Sequence, residues 1–291
     1  MNSIKSCPVC EKTNFKDFLE VKDHMITKEE FKIVECNSCG FHFTNPIPAP
    51  DKIGEYYKSE DYISHSSNKK GVINFLYNTV RGITLKQKVK WIRNETNGKH
   101  LLDIGSGTGH FLKAVNNGGF SGMGLEPDSD ARAFAHKNNH VRSSSQEELY
   151  TIEKESFDVV TMWHVLEHVY DLRKDLKRIE EVLKSNGKLF IAVPNMNSYD
   201  ARFYKEFWAA YDVPRHLYHF TEKDISRLLS EFGFDLKKVI PMKYDSYYVS
   251  MLSEKYKKRS SLFGVFRGFI SNLNSKKYGY SSQVYVFEKR A

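Results

Sequence analysis

The sequence predicts an α/β protein: a doubly wound sheet of mostly parallel strands with a small cysteine-rich module ahead of it. Three observations carry this. Apolar strand-type runs alternate with helical periodicity from about residue 97 onward, the first run closes on a turn with glycine at 105, 107 and 109, and all four cysteines precede residue 40.

Size and charge set the outer bounds. The 291 residues suffice for one α/β core and an accessory module. Hydrophobic residues make up 40%, enough for a substantial core, and no run reaches the ~18 consecutive apolar residues of a spanning helix. A formal charge of +8 invites an acidic partner, whether nucleic acid, a nucleotide-linked substrate or an anionic membrane, but the lysines are spread along the chain. Met1-Asn2-Ser3-Ile4-Lys5 lacks the apolar core of a signal peptide. A cytoplasmic protein is therefore expected, with a peripheral place at the inner face of the membrane as the variant reading.

Cys7-Pro8-Val9-Cys10 and Cys36-Asn37-Ser38-Cys39-Gly40 are two Cys-x-x-Cys pairs separated by 25 residues. Each pair makes a tight knuckle and four thiolates complete a tetrahedron, so Cys7, Cys10, Cys36 and Cys39 read as a zinc site. With every position taken by protein sulfur, no opening is left for water or substrate, and the metal's role is structural. The rival reading, two disulfides or a redox motif, needs an oxidising compartment. Phe31, Ile33 and Val34 before the second knuckle, and Phe41 and Phe43 after it, look like strands of a zinc ribbon spanning 1–45.

Residues 46–96 read as a linker and a covering helix. Asn45-Pro46-Ile47-Pro48-Ala49-Pro50 is proline-rich, and Tyr56, Tyr57, Tyr62 and the run from Ser64 to Lys70 look like a mobile polar segment. From Gly71 to Trp91 helical spacing returns through Ile73, Leu76, Tyr77, Val80, Ile83 and Val89, with Arg81, Lys86, Lys88 and Lys90 on the polar face. Such a helix covers a sheet edge, or lies with its basic face on an anionic membrane.

Leu101, Leu102 and Ile104 form the first strand of the core, and the turn Gly105-Ser106-Gly107-Thr108-Gly109 leads to a helix starting at His110. Alternate glycines let the backbone turn tightly and approach a ligand that a Cβ would strike. Amide groups at the helix start offer donors to negative or polar ligand groups. A second run, Phe120 to Leu125, ends at Glu126, placed to accept from both ribose hydroxyls of a nucleoside. Phe157 to Met162 is a buried parallel strand by composition, followed by Trp163-His164-Val165-Leu166-Glu167-His168-Val169. A helix from Leu172 to Lys184 is expected next, stopped by Asn186-Gly187, then a strand from Lys188 to Val193 closing on Pro194-Asn195.

In that order and spacing, LLDIGSGTGHF, GLEPD, FDVVTMWHVLEHV and LKSNGKLFIAVPN resemble the successive motifs of class I S-adenosylmethionine-dependent methyltransferases, from about residue 97 to 195. The rival is a nicotinamide-binding domain, whose Gly-x-Gly-x-x-Gly would need glycine where His110 stands. The resemblance implies a Rossmann-like seven-stranded sheet in the order 3-2-1-4-5-7-6 within residues 97–291, and S-adenosyl-L-methionine as cofactor. It implies that Asp103 accepts from the donor's amino group or an ordered water, and that the turn of Gly105, Gly107 and Gly109 lies against its methionine part. Glu126 would hold the ribose, and Gln146 would meet the adenine. Trp163 and His164 would line the cavity floor near the sulfonium, where an aromatic face contributes about 0.5–2 kcal/mol. Asp128 reads as the N-cap of the next helix. His164-Val165-Leu166-Glu167-His168 also fits the H-x-x-E-H of zinc peptidases, but that pattern must lie within one helix and here it begins at a strand end.

Between Pro194 and Thr221 the chain is too aromatic for an ordinary connection: Tyr199, Phe203, Tyr204, Phe207, Trp208 and Tyr211 precede Asp212. Coming after the fifth strand, at the carboxyl ends of the sheet, residues 195–220 read as a lid that excludes water. Arg215-His216-Leu217-Tyr218-His219-Phe220 resembles the Glu-His-x-x-Tyr-Phe segment of nucleotide-sugar C-methyltransferases, which also carry an N-terminal zinc ribbon. The match puts His216 in the place of their histidine base, with Arg215 for the glutamate and His219 for the tyrosine. His216 is thus the candidate base, with His219 and His164 next. The expected acceptor is a small molecule, such as a sugar or cell-surface glycan precursor.

Thr221-Glu222-Lys223-Asp224 opens a capped helix stopped by Gly233, and Phe234 to Ile240 and Ser282 to Glu288 are the last strands. Between them lies an insertion, 242–281. Its Leu262, Phe263, Val265, Phe266, Phe269, Ile270 and Leu273 make an apolar helix flanked by Lys255, Lys257, Lys258, Arg259, Lys276 and Lys277. That helix packs on the core, joins two copies, or lies in a bilayer surface. Two other functions compete. A zinc-ribbon RNA methyltransferase is opposed by the missing Asn-Pro-Pro-Tyr motif after strand four and by a ribbon without clustered basic residues, so no nucleic-acid partner is expected. A non-catalytic zinc-ribbon binding protein is opposed by the intact glycine turn and Glu126.

Overall fold

The structure, a computed structural model, describes residues 1–57 and 72–291, and the side chains from residue 81 onward in the helix that begins at Val72. Tyr62, the run from Ser64 to Lys70, and the side chains of Ile73, Leu76, Tyr77 and Val80 lie outside the described residues.

The N-terminal module is an antiparallel sheet of β1 (Phe15–Lys22), β2 (Glu30–Cys36) and β3 (His42–Thr44). Phe31, Ile33 and Val34 of β2, and Phe41 and Phe43 beside and within β3, are buried. A fourth strand, Tyr218–His219, comes from the far side of the sequence and pairs with β3, Phe43 against Tyr218 and His42 against His219. It occupies an edge whose N–H and C=O groups would otherwise need water. The proline-rich stretch is packed rather than free. Ile47 is buried and exchanges backbone hydrogen bonds with Asn2 (2.7 and 2.9 Å), and the Tyr170 hydroxyl donates to the Pro48 carbonyl at 3.0 Å.

The rest of the chain runs α1 (Val72–Arg93), β4 (His100–Ile104), α2 (His110–Asn117), β5 (Ser121–Leu125), α3 (Ser129–Phe134), β6 (Ser143–Ser144), β7 (Phe157–Trp163), α4 (Leu172–Val182) and β8 (Leu183–Pro194). It continues through α5 (Tyr199–Tyr204), β9 (Tyr218–His219), α6 (Glu222–Glu231), β10 (Phe234–Pro241), α7 (Asp245–Tyr256), α8 (Ser261–Leu273), α9 (Ser275–Tyr278) and β11 (Ser282–Lys289). The seven-stranded sheet has the order β10-β11-β8-β7-β4-β5-β6, which is 3-2-1-4-5-7-6 read from β6. Only β11 runs antiparallel to its neighbours. Leu101 and Leu102, Val159 and Val160, and Leu189, Phe190 and Ile191 have no exposed surface, because helices cover both faces of the central strands.

One boundary differs from expectation. The helix ends at Val182 rather than Lys184, and Asn186-Gly187 falls inside β8 instead of stopping the helix. The Lys184 ammonium reaches Asp158 at 2.8 Å, and the same carboxylate accepts from the Lys99 and His100 amides at 2.9 Å. Asn186 takes a left-handed turn (φ 62°), and the register against β7 jumps from Phe157↔Leu183 to Val159↔Lys188. Tertiary contacts thus pull the last turn into the sheet. The insertion holds three helices rather than one, α7, α8 and the short α9. α8 runs back along α7 at close range, since a Cβ on Gly264 would fall 2.3 Å from Met251 Cα and one on Gly268 2.7 Å from Tyr247 Cα.

Candidate active site

The crevice opens where β4 and β5 release the chain. Gly105, Gly107 and Gly109 are all left-handed (φ 73°, 51° and 77°), a region costly for any residue with a Cβ. Their surroundings differ. A Cβ at 105 would lie 2.3 Å from Val165 Cγ2 and one at 109 would lie 2.6 Å from Val141 Cγ2, whereas one at 107 would meet nothing within 4 Å. Gly105 and Gly109 therefore let protein pack on protein, and Gly107 borders open space. Glu126, at the tip of β5, ties the turn: Oε2 accepts from the Gly107 amide at 2.8 Å and Oε1 from the Asp128 amide at 3.0 Å. Each oxygen keeps a lone pair for a ribose hydroxyl. Asp128 is the N-cap, accepting from the Ala131 amide at 2.8 Å.

Asp103 is 1% exposed and accepts from the Thr161 hydroxyl at 2.6 Å. Burial pushes its carboxyl up to about 7, against the pull of Thr161 and the Lys88 ammonium. Lys88 sits 4.1 Å over the Trp163 ring, and burial brings it down to about 8. Its charge predicts the polar face of α1, but Lys88 turns inward over Trp163. The signal was present: 88 falls at helical spacing with Leu85, Val89 and Ile92, which pack into the core. Gln146, half-buried, begins the turn that follows β6, the strand beside β5. The donor set fits S-adenosylmethionine in a buried acid and an open glycine at the strand ends and a second acid at the tip of β5, whereas the Trp163 face expected near the sulfonium carries the Lys88 ammonium.

His164 follows β7 with φ 58°, its amide donating to the Ala192 carbonyl at 2.9 Å. Its ring bridges Glu167 Oε1 (3.4 Å) and Asp245 Oδ2 (3.3 Å). Burial alone would lower its pKa, but the two carboxylates outweigh that and hold it at about 9. At neutral pH it is an imidazolium, which leaves it no lone pair to act as a base. Asp245 belongs to α7, so the insertion contributes to the site, and nothing in the local sequence pattern announced it.

Glu167 has no exposed surface and is met by the His164 ring at 3.4 Å. Across from it stands His216, whose Nδ1 donates to the Ala210 carbonyl at 2.9 Å. That bond leaves the lone pair on Nε2, 4.0 Å from Glu167 and 3.9 Å from Asp212. His168 packs edge-on against His216, and its Nδ1 meets the Arg215 carbonyl at 2.9 Å. Burial and the neighbouring His216 lower His168 to about 4. Glu167, His168 and His216 offer ligand atoms within 4.8 Å of one another, so this cluster also has the donor set for a divalent cation. The peptidase geometry is ruled out: Trp163 ends β7, His164 is left-handed, and Leu166–His168 form one 3-10 turn.

Behind this cluster the ribbon supplies the support. The Arg215 guanidinium grips Asp212 (2.7 and 3.0 Å) and Asp23 (3.0 Å), all but sealed from solvent, and donates to the Tyr56 carbonyl at 2.9 Å. Thr44 donates to the His216 carbonyl at 2.8 Å and lies 3.1 Å from His219 Nε2. His219 is buried in β9 between Thr44 and the Tyr211 ring, and burial presses its pKa far down. Of the three histidines named from the sequence, His164 and His216 flank Glu167, while His219 serves the sheet joining ribbon and lid.

The four cysteines converge. Sγ of Cys7 lies 3.6 Å from Cys39 and that of Cys10 3.5 Å from Cys36, with all four sulfurs within 4.8 Å of one another. A disulfide requires about 2.05 Å, whereas tetrahedral zinc at ~2.3 Å from each sulfur sets them ~3.8 Å apart. Burial pushes the Cys36 thiol up, but the amides of Cys39 and Ser38 outweigh it and bring it to about 7. The residues fit a structural zinc ion.

A family model for a methyltransferase domain matches residues 85–239, more than half of the chain. The chain belongs to the class I S-adenosylmethionine-dependent methyltransferases. Its donor cofactor is S-adenosylmethionine. The methyltransferase is 28% identical over 200 residues to the mitochondrial ubiquinone biosynthesis O-methyltransferase of Bos taurus, covering 63% of this chain and 53% of that protein. It is 29% identical over 119 residues to the ubiquinone biosynthesis O-methyltransferase of Coxiella burnetii, covering 38% and 50%. The chain thus spans about half the length of these relatives. The solved structure of an S-adenosylmethionine-dependent methyltransferase from Archaeoglobus fulgidus matches with a TM-score of 0.50 at 20% identity, covering 74% of this chain and 99% of that one. The cyclase SpnF matches at 0.51 and 15%, covering 71% and 81%. At such identities the likeness concerns the fold, which carries more than one reaction.

Proposed function

We propose that this methyltransferase moves the methyl group of S-adenosylmethionine to a hydroxyl oxygen of a small-molecule acceptor, with His216 as the base. The observation that carries this reading is the contact of His216 Nδ1 with the Ala210 carbonyl, which in the neutral ring leaves the acceptor lone pair on Nε2. The names of the relatives, O-methyltransferases, point to the same atom type.

When bound, the donor supplies a methyl group activated by its sulfonium. The protein holds it with Asp103, Glu126, Lys88 and the open turn at Gly107, and the lid with its buried Tyr204, Trp208 and Tyr211 excludes water. Positioning in line is the main contribution, up to roughly 7–11 kcal/mol in ideal cases. The acceptor hydroxyl loses its proton to His216 Nε2 as oxygen takes the methyl group. The imidazolium so formed is met by Glu167 at 4.0 Å and Asp212 at 3.9 Å. The finer assignment, a ring hydroxyl on a sugar or glycan precursor, rests on the Arg215 to Phe220 segment. A nucleic acid has less support, since residues 1–45 carry six lysines against seven acids.

The test is transfer of labelled methyl to a panel of hydroquinones, nucleotide sugars and lipid-linked glycans, with the linked atom read by mass spectrometry. We expect oxygen-linked product, and His216→Asn to lower kcat by roughly 10²–10⁴-fold with donor affinity unchanged. Methyl on carbon or nitrogen, or full turnover by the variant, would overturn the assignment.

A further inference from the structure

We propose that α8 docks this methyltransferase on an anionic lipid surface. The helix is built inside out. Its small residues Gly264, Gly268 and Ser271 are buried against the body of the protein, while Leu262, Phe263, Val265, Phe266, Phe269 and Leu273 are 44–80% exposed. Glycine at 264 and 268 brings the α7 backbone so close that the large side chains have only the outward face left. An ordinary surface helix does the reverse.

Charge decides what covers this face. Between Glu254 and Glu288 the sequence has seven lysines and arginines and no acid: four at 255–259 before the helix, Arg267 within it and two at 276–277 after it. An apolar face bracketed by cations matches a bilayer surface, with acyl chains below and anionic headgroups at both ends. A second copy fits poorly, because a two-fold contact would set like charges against like. No helix among the described residues is long and apolar enough to cross a membrane, so the contact is peripheral.

The docking face adjoins the site. α7, on which α8 rests, presents Asp245 to His164; Tyr248 on it and Tyr244 just before it are exposed, residues suited to the headgroup boundary. An amphipathic acceptor would reach the crevice from the bilayer. That last step rests on the proposed function, but the docking does not.

Flotation of the whole protein with vesicles of phosphatidylcholine, alone or with phosphatidylglycerol, tests it. Calorimetric donor binding reports that each variant is folded. We expect flotation only with the anionic vesicles, weakening as salt is raised. Phe263→Ser with Phe266→Ser, and separately Lys258→Glu with Lys276→Glu, should each cut the bound fraction about tenfold or more with donor affinity intact. Three results would overturn the proposal: no flotation at low salt, flotation that both variants retain, or a dimer in sedimentation that the phenylalanine variant splits.

Discussion

Glu167 sits fully buried among His164, His168 and His216, and its ionisation shows how this site is charged. Burial pushes its carboxyl up, but the charged His164 beside it pulls harder and holds it below the usual range. The same balance keeps His164 charged, and this has a consequence for stability. The pKa of His164 is raised from 6.5 to about 9 in the folded protein. Its contribution is therefore full below about 6.5 and is lost as pH rises through about 9. Asp245→Asn should lower the His164 titration midpoint, seen by NMR, and flatten the fall in denaturant stability across that window. An unchanged midpoint would contradict the His164–Asp245 contact. At the glycine turn, Gly105→Ala should cost about 2–4 kcal/mol, combining left-handed strain with the overlap on Val165. Gly107→Ala should cost only ~1–2 kcal/mol in denaturant unfolding yet weaken donor binding in calorimetry, because its Cβ points into the crevice.

The ribbon and the 195–220 segment are one element in structure although more than a hundred residues separate them. β9 completes the ribbon sheet, Thr44 holds the His216 carbonyl, and Asp23 shares Arg215 with Asp212. A zinc ion held by the four cysteines would stabilise the ribbon, by about 10–16 kcal/mol in model fingers. Removing zinc with a chelator, or Cys39→Ser, should lower both the melting temperature and kcat. Donor affinity should stay roughly constant, since β4, β5 and β7 build that crevice. If turnover survives metal loss, the ribbon does not position His216. Asp23→Ala should be costly for a related reason, about 3–5 kcal/mol, because it strips a buried guanidinium of one partner.

At the scale of the whole molecule, α7 joins the proposed site to the apolar helix, carrying Asp245 to His164 and packing on α8. Transfer to an acceptor embedded in anionic vesicles should therefore fall as salt rises, while donor affinity measured without vesicles should not. Equal salt dependence of the two would separate docking from catalysis.

The sheet order followed from the family resemblance, whereas the glycine turn, Glu126, the N-cap at Asp128 and the two Cys-x-x-Cys knuckles were legible from the chain alone. Each is a local pattern: a strand-turn-helix, a cap or a Cys-x-x-Cys knuckle is enforced by neighbours a few residues away. Lys88 was half legible, visible at core spacing but read as surface because its charge outweighed its position. What only the tertiary structure decided is which distant groups share a charge. Asp245 on His164, Glu167 between two imidazoles, Asp23 on Arg215, and β9 on β3 all join segments whose separation in sequence carries no signal. Burial then sets each protonation state, because desolvation in a low-dielectric interior is balanced only by partners within a few ångströms. Even the end of α4 followed this rule, since the Lys184–Asp158 contact overrode a local stop at Asn186-Gly187.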